Sequence, residues 1–80
     1  MKFFQTIYGE WVNVNCITNL FVTQCAAHNS FEVNANVSDV SLPVTINEFR
    51  DRGEAYAWLD KFAEALNKGD LSNVQIDFDD

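Results

Sequence analysis

The spacing of the apolar residues changes at Arg50. Before it, apolar residues recur at about every second position, in short runs separated by polar turns, which is typical of β-strands. After it, they recur at helical spacing, in a segment that begins after an N-cap residue at Asp51 and ends before Gly69. The sequence therefore predicts a single α+β domain over residues 1–80. We expect a four- to five-stranded antiparallel sheet with one amphipathic C-terminal helix packed on one face.

Five segments before Arg50 have the composition or the alternation of strands. The segment 31–37 alternates most cleanly, which predicts that its polar residues, Asn34 among them, lie on a solvated face. Pro43 cannot donate a hydrogen bond to a neighbouring strand, so the last strand is expected at an edge or to begin there. The predicted strands are 2–7, 11–14, 17–23, 31–37 and 42–47.

The helix is expected over about residues 52–67. Asp51 and Glu54 have the spacing of a capping box, and Gly69 suits the position that follows a helix. The stripe predicted to face the sheet is Ala55, Leu59, Phe62, Ala63 and Leu66, with Trp58 on its shoulder. The predicted core is Phe21, Phe31, Val33, Val44, Ile46, Leu59, Phe62 and Leu66.

The segment 74–80 has two interpretations. Val74, Ile76 and Phe78 alternate with polar residues, and two aspartates follow. This pattern favours a final strand at the sheet edge, since three large apolar side chains are costly to leave in water. The alternative is an acidic tail that docks on a partner.

The charge distribution restricts the partners. The chain has a net charge of −7, and eight of its twelve acidic residues follow Arg50. Phosphate binding needs clustered Lys and Arg, so direct binding to nucleic acid or to an anionic membrane is not expected. A basic protein surface is the natural partner of such a field, and the alternative is that the charge serves only solubility.

Residues that could do chemistry are few. His28 is the only histidine, and Cys25 with His28 supplies two metal ligands where a structural zinc site needs four, so no metal or other cofactor is predicted. Cys25, His28 and Ser30 lie in one short loop, whereas catalytic groups usually come from different elements. We therefore predict no catalytic residue and no enzyme activity. Without a signal peptide pattern or a disulfide framework, we expect a cytoplasmic protein with Cys16 and Cys25 reduced.

Protein binding is the better-supported class of function. One helix cannot cover both faces of a sheet, so some N-terminal aromatic residues should be exposed, and Trp and Tyr are frequent interface anchors. Acidic residues of the helix and the C-terminal segment could imitate the charge of a phosphate backbone. The candidate partner-binding residues are Tyr8, Trp11, Asp60, Glu64, Asp77, Asp79 and Asp80.

The segment Gly9-Glu10-Trp11-Val12-Asn13 resembles the opening hairpin of a group of small bacterial and phage proteins. These continue with antiparallel strands and close with a helix similar to the segment 54–62. In size and acidity the chain is also similar to phage inhibitors of host defence, such as anti-CRISPR proteins. The hairpin resemblance implies the fold, and the similarity in size and acidity to such inhibitors implies a non-catalytic protein that inhibits or regulates a protein partner, such as a nucleic-acid enzyme. The alternative is a structural domain that self-associates, for example as a homodimer.

Overall fold

The computed structural model describes residues 2–72, 74 and 76, and it is an α+β structure as predicted. Its strands are β1 (Phe3–Gln5), β2 (Trp11–Asn13), β3 (Ile17–Cys25), β4 (Ser30–Val37) and β5 (Val44–Phe49), with a short 3-10 helix at Val14–Cys16. The helix α1 (Arg52–Lys68) follows, and it packs across β3, β4 and β5. Within the described part of the chain, no helix is both long and apolar enough to cross a bilayer.

The strands form two antiparallel sheets, so the single four- to five-stranded sheet that the sequence predicts is not found. One sheet is the hairpin β1-β2, and the other has the order β3-β4-β5. β1 and β2 have three residues each, so they offer few backbone hydrogen bonds for joining a larger sheet. Among the described residues, one backbone hydrogen bond connects the hairpin segment to β5, from the Ile7 N–H to the Ile46 carbonyl at 2.9 Å.

The helix begins and ends at capping residues. The Asp51 carboxylate accepts a hydrogen bond from the Glu54 N–H at 3.0 Å, as expected for an N-cap. At the other end Gly69 has φ 72°, a left-handed conformation that glycine adopts without strain. The N–H of Asp70 then reaches back to the Ala65 carbonyl at 3.1 Å, which closes the helix.

The buried side of the helix differs from the predicted stripe. Ala55, Phe62 and Ala65 are buried, while Leu59 is half-buried and lies beside that stripe. Trp58 packs into the core instead, with its ring centroid 5.0 Å from Phe62. Phe4 of the hairpin explains the rotation, because its ring lies 4.9 Å from Phe62 and 6.2 Å from Trp58.

Three of the predicted core residues, Val33, Ile46 and Phe62, are fully buried. The other five are only half-buried: Phe21, Phe31, Val44, Leu59 and Leu66. Phe21 is the clearest error, because the strand register pairs it with Asn34, on the face of β3-β4-β5 that points away from α1. We call this face, on which the side chains of Phe21 and Asn34 lie, the distal face.

Asn34 is buried, contrary to the solvated position predicted for it. Its side-chain nitrogen donates to the Thr23 hydroxyl at 2.7 Å, and the Thr45 hydroxyl donates to its oxygen at 2.8 Å. The three side chains therefore form a hydrogen-bonded row across β3, β4 and β5, which offsets the cost of burying the amide.

The end of the chain lies partly outside the described residues. Val74 is buried in the core, its N–H donating to the Leu71 carbonyl at 3.1 Å, and Ile76 packs against the same core. The choice between a final strand and an acidic tail falls on residues 74–80, most of which are not described, as does the placement of Asp77, Asp79 and Asp80.

Candidate functional site

The hairpin presents an aromatic surface to solvent. Phe4 and Val12 are partners in the β1-β2 register and both point into the core. Because side chains alternate along a strand, Phe3 and Trp11 point the other way, and they are 51% and 65% exposed. They occupy diagonal positions of the register, within reach of each other for aromatic side chains. We call Phe3, Trp11 and the exposed Tyr8 of the turn the hairpin patch.

The turn that carries Tyr8 is held by the buried residue Thr6. The Thr6 N–H donates to the Glu10 carbonyl at 2.7 Å, and the Thr6 hydroxyl accepts from the N–H groups of Tyr8 and Glu10 at 3.3 and 3.2 Å. Gly9 has φ 85°, which the tight turn requires and a side chain would strain. These bonds fix the direction in which the turn presents Tyr8.

Tyr8 connects the hairpin patch to the distal face. Its hydroxyl donates to Glu48 Oε1 at 3.4 Å. Partial desolvation raises the pKa of Tyr8 above its ordinary value, and the nearby charges of Glu48 and Glu32 raise it further. The phenol therefore stays protonated and remains a donor at neutral pH.

The acidic candidates of the helix lie away from the hairpin patch. Asp60 and Glu64 are exposed on the solvent side of α1, and no hydrogen bond or ion pair among the described residues joins them to the hairpin. Glu64 accepts from Lys68 Nζ at 2.8 Å, and this contact lowers the pKa of Glu64 and raises that of Lys68. Of the candidate partner-binding residues, Tyr8 and Trp11 thus lie on the hairpin, and the two helix acids form a separate surface.

A second group of polar side chains meets at one end of the distal face. Cys25 ends β3, His28 lies in the loop after it, Ser30 begins β4 and Glu48 comes from β5. His28 Nδ1 lies 3.5 Å from Glu48 Oε2, and the Ser30 hydroxyl donates to the same oxygen. The sulfur of Cys25, a ring nitrogen of His28 and a carboxylate oxygen of Glu48 lie within 4.8 Å of one another. We call these four residues the distal cluster.

The loop geometry explains how two residues of the distal cluster meet. Cys25 and Ser30 are partners in the β3-β4 register, so the loop 26–29 has to reverse the chain between them. Asn29 takes φ 50°, a left-handed conformation that asparagine tolerates, and its N–H donates to the Ala26 carbonyl at 3.4 Å. The turn brings His28 back over the end of the sheet, toward Glu48.

Two carboxylates face each other beside this cluster. Glu32 and Glu48 are direct partners in the β4-β5 register. Like charges in directly opposed positions destabilise a sheet. In the described residues the ion pairs are His28–Glu48 and Lys68–Glu64, so neither glutamate has a Lys or Arg partner there.

Glu48 is not among the residues that the sequence suggests. Cys25, His28 and Ser30 are neighbours along the chain, whereas Glu48 follows Ser30 by 18 positions and meets it through strand pairing. In the sequence, Glu48 is marked only as an acidic residue at a position where the alternation of the strand predicts an apolar one. Acidic residues are common on exposed strand faces. Phe3 was among the aromatic residues expected to be partly exposed, and it joins Trp11 at the hairpin patch.

Comparisons with protein-family models, with curated proteins and with solved structures each gave no match to this chain.

Proposed function

We propose that this chain is a non-catalytic binding protein that inhibits or regulates a protein partner through the hairpin patch. The observation that carries the proposal is Trp11, which is 65% exposed at the turn end of a short hairpin. Covering an exposed large aromatic side chain with a partner removes its apolar area from water, which favours binding. Trp and Tyr also dominate the binding energy of many interfaces. The patch is rigid because Phe4, on its inner side, is fixed against Phe62.

The charge of the chain supports a basic partner. With a net charge of −7, the protein attracts positive surfaces over distances of about a Debye length, roughly 8–10 Å at physiological salt. Such attraction raises the association rate, while the aromatic contacts slow dissociation. A nucleic-acid enzyme, whose binding groove is lined by Lys and Arg, is the class of partner that we propose.

The test is capture of a purified basic nucleic-acid enzyme, or of host lysate proteins, on the tagged wild-type chain and on two variants. We expect Trp11→Ala to lose the captured partner and Tyr56→Ala, an exposed aromatic on the helix, to keep it. Capture should also weaken as salt rises. Equal capture by all three proteins would reject the hairpin patch as the binding surface.

A second candidate function, self-association, is favoured by the outer edge of β3. Among the described residues β3 pairs with β4 alone, its nine residues contain no charge and no proline, and its register shift lies at its start, between Ile17 and Asn19. Natural proteins usually protect such an edge with charged residues, proline or a bulge, because unpaired backbone groups recruit a further strand. We infer that a second copy of the chain can pair there.

Sedimentation at increasing protein concentration and high salt tests this candidate. Asn19 is exposed in β3, and Asn19→Lys places a charge on the edge. We expect the wild type to form dimers and Asn19→Lys to remain monomeric, while Asn67→Lys on the exposed helix surface leaves the dimer intact. A wild type that stays monomeric throughout would reject this candidate.

A further inference from the structure

The distal cluster has the donor atoms of a metal site. A thiolate, an imidazole and a carboxylate are the three ligand types that zinc accepts in proteins. They come from three different elements: Cys25 from β3, His28 from the following loop and Glu48 from β5. The sequence alone offered two donors, because the third is brought in by the pairing of β5 with β4.

The distances between the donor atoms approach those around a tetrahedral ion. Zinc bonds of 2.0–2.3 Å imply that neighbouring donor atoms lie about 3.3–3.8 Å apart. His28 Nδ1 and Glu48 Oε2 are already 3.5 Å apart, and all three donors lie within 4.8 Å. His28 has 64% of its side chain exposed, so its ring can turn toward a metal without disturbing the core.

The surroundings of Glu48 supply what a metal ligand needs. The Ser30 hydroxyl donates to Glu48 Oε2 and the Tyr8 hydroxyl donates to Oε1, so the carboxylate is held in a fixed orientation. Hydrogen bonds of this kind to a ligand orient it and strengthen metal binding. Because Ser30 is buried, water does not compete for its hydrogen bond with Glu48.

The charge arrangement gives an independent argument. Glu32 stands directly opposite Glu48 on the distal face, with no Lys or Arg paired to either in the described residues. A divalent cation would neutralise the charge of these two carboxylates.

From the donor set, the distances and the charges together, we propose that Cys25, His28 and Glu48 bind one divalent transition-metal ion, best matched by zinc. Three protein ligands leave the fourth position of a tetrahedral ion open for water or for a side chain of a partner. The bound ion would join the loop 26–29 to β5. This proposal does not depend on partner binding at the hairpin patch, with which it shares only the contact of Tyr8, and either can fail without the other.

The experiment titrates the full-length, reduced protein with Co²⁺ as a spectroscopic probe and then displaces it with Zn²⁺. A thiolate ligand gives a charge-transfer absorption band in the near ultraviolet, which identifies sulfur coordination directly. We expect one ion per chain and a band in the wild type. Cys25→Ser should abolish the band, whereas Cys16→Ser, which removes the other half-buried thiol, should leave it unchanged.

The other residues of the distal cluster make the test specific. His28→Gln and Glu48→Gln should each weaken Zn²⁺ binding by at least about tenfold, and Ser30→Ala, which removes an orienting hydrogen bond, by about tenfold. Circular dichroism confirms that each variant is folded, and the exposed His28→Gln is the variant least able to disturb folding. The proposal is overturned by a wild type without a band, by a band that survives Cys25→Ser, or by two chains sharing one ion.

Discussion

The two faces of the sheet β3-β4-β5 are stabilised by different means. The face under α1 is apolar: Ala35 and Ile46 lie in one core with Phe62 of the helix and Phe4 of the hairpin. The distal face has a row of hydrogen bonds centred on Asn34 and then, at one end, a cysteine, a histidine and two glutamates. The first arrangement is an apolar core, whereas the second contains hydrogen-bonded, charged and reactive groups.

The two faces also differ in how their interactions contribute to stability. Aromatic packing under the helix stabilises non-directionally, through the area removed from water. On the distal face each group depends on a specific partner, and the opposed pair Glu32–Glu48 opposes folding. When residues lower stability and yet lie together in a defined arrangement, a binding role is the simplest explanation for them.

The largest effect is expected under the helix. Phe62 is fully buried and contacts the rings of Phe4 and Trp58, so Phe62→Ala should lower the free energy of unfolding by about 3–5 kcal/mol. That is a large share of the stability of an 80-residue domain. Leu59→Ala, on the half-buried side of the same helix, should cost clearly less. Urea unfolding compares them, and equal losses would contradict the rotated helix face described above.

The next effect is expected in the centre of the distal face. Asn34→Ala leaves the hydroxyls of Thr23 and Thr45 without their amide partner and should cost about 1–3 kcal/mol. Asn36→Ala, on the same strand face but only half-buried, is the matched control and should cost little. Thermal or urea unfolding measures both. Similar losses would mean that the hydrogen-bonded row does not stabilise the distal face.

Much of the fold could be predicted because local signals agree with the tertiary structure. Asp51 and Gly69 bound the helix with the capping chemistry that their residue types favour. The alternation of Val33 and Ala35 marks the buried side of β4. Two features depend on distant residues instead: the packing of Phe4 on the helix turns Trp58 inward, and the short hairpin strands form a sheet of their own.

The candidate site was predictable in part. Tyr8 and Trp11 are exposed as their hairpin position suggests, because a short hairpin buries one side only. Glu48 could not be assigned to Cys25 and His28 from spacing, since the contact depends on the register of β5 against β4 and on a shift of that register between Val33 and Asn34. Register shifts of this kind carry no reliable local signal.

A smaller effect, of opposite sign, is expected from the opposed carboxylates. Glu32→Gln removes one of two like charges and should raise the free energy of unfolding by about 0.2–1 kcal/mol in metal-free protein. Glu10→Gln, an exposed acid without a carboxylate opposite it, should leave stability unchanged. The gain should shrink as salt rises, because screening weakens the repulsion. A loss of stability in Glu32→Gln would show that Glu32 has a favourable partner on the distal face.

The smallest effect concerns Tyr8, the residue that joins the hairpin patch to the distal face. Its pKa in the folded protein is raised above the ordinary value of 10.0, by desolvation first and then by the charges of Glu48 and Glu32. The unfolded chain therefore loses this proton first as pH rises. The stabilisation is fully present below about pH 10 and is lost as the pH rises through the folded-state pKa.

The ultraviolet absorbance of phenolate measures this pKa, with Tyr8→Phe subtracted to remove the other tyrosine, Tyr56. We expect a midpoint above 10.0, and Glu48→Gln should lower it because the mutation removes a nearby negative charge. Glu64→Gln, on the far side of the helix, should leave it unchanged. A midpoint at or below 10.0 would contradict the contact between the turn and Glu48. The hairpin patch and the distal cluster would then be electrostatically separate surfaces, and a partner bound at one would not sense the charge at the other.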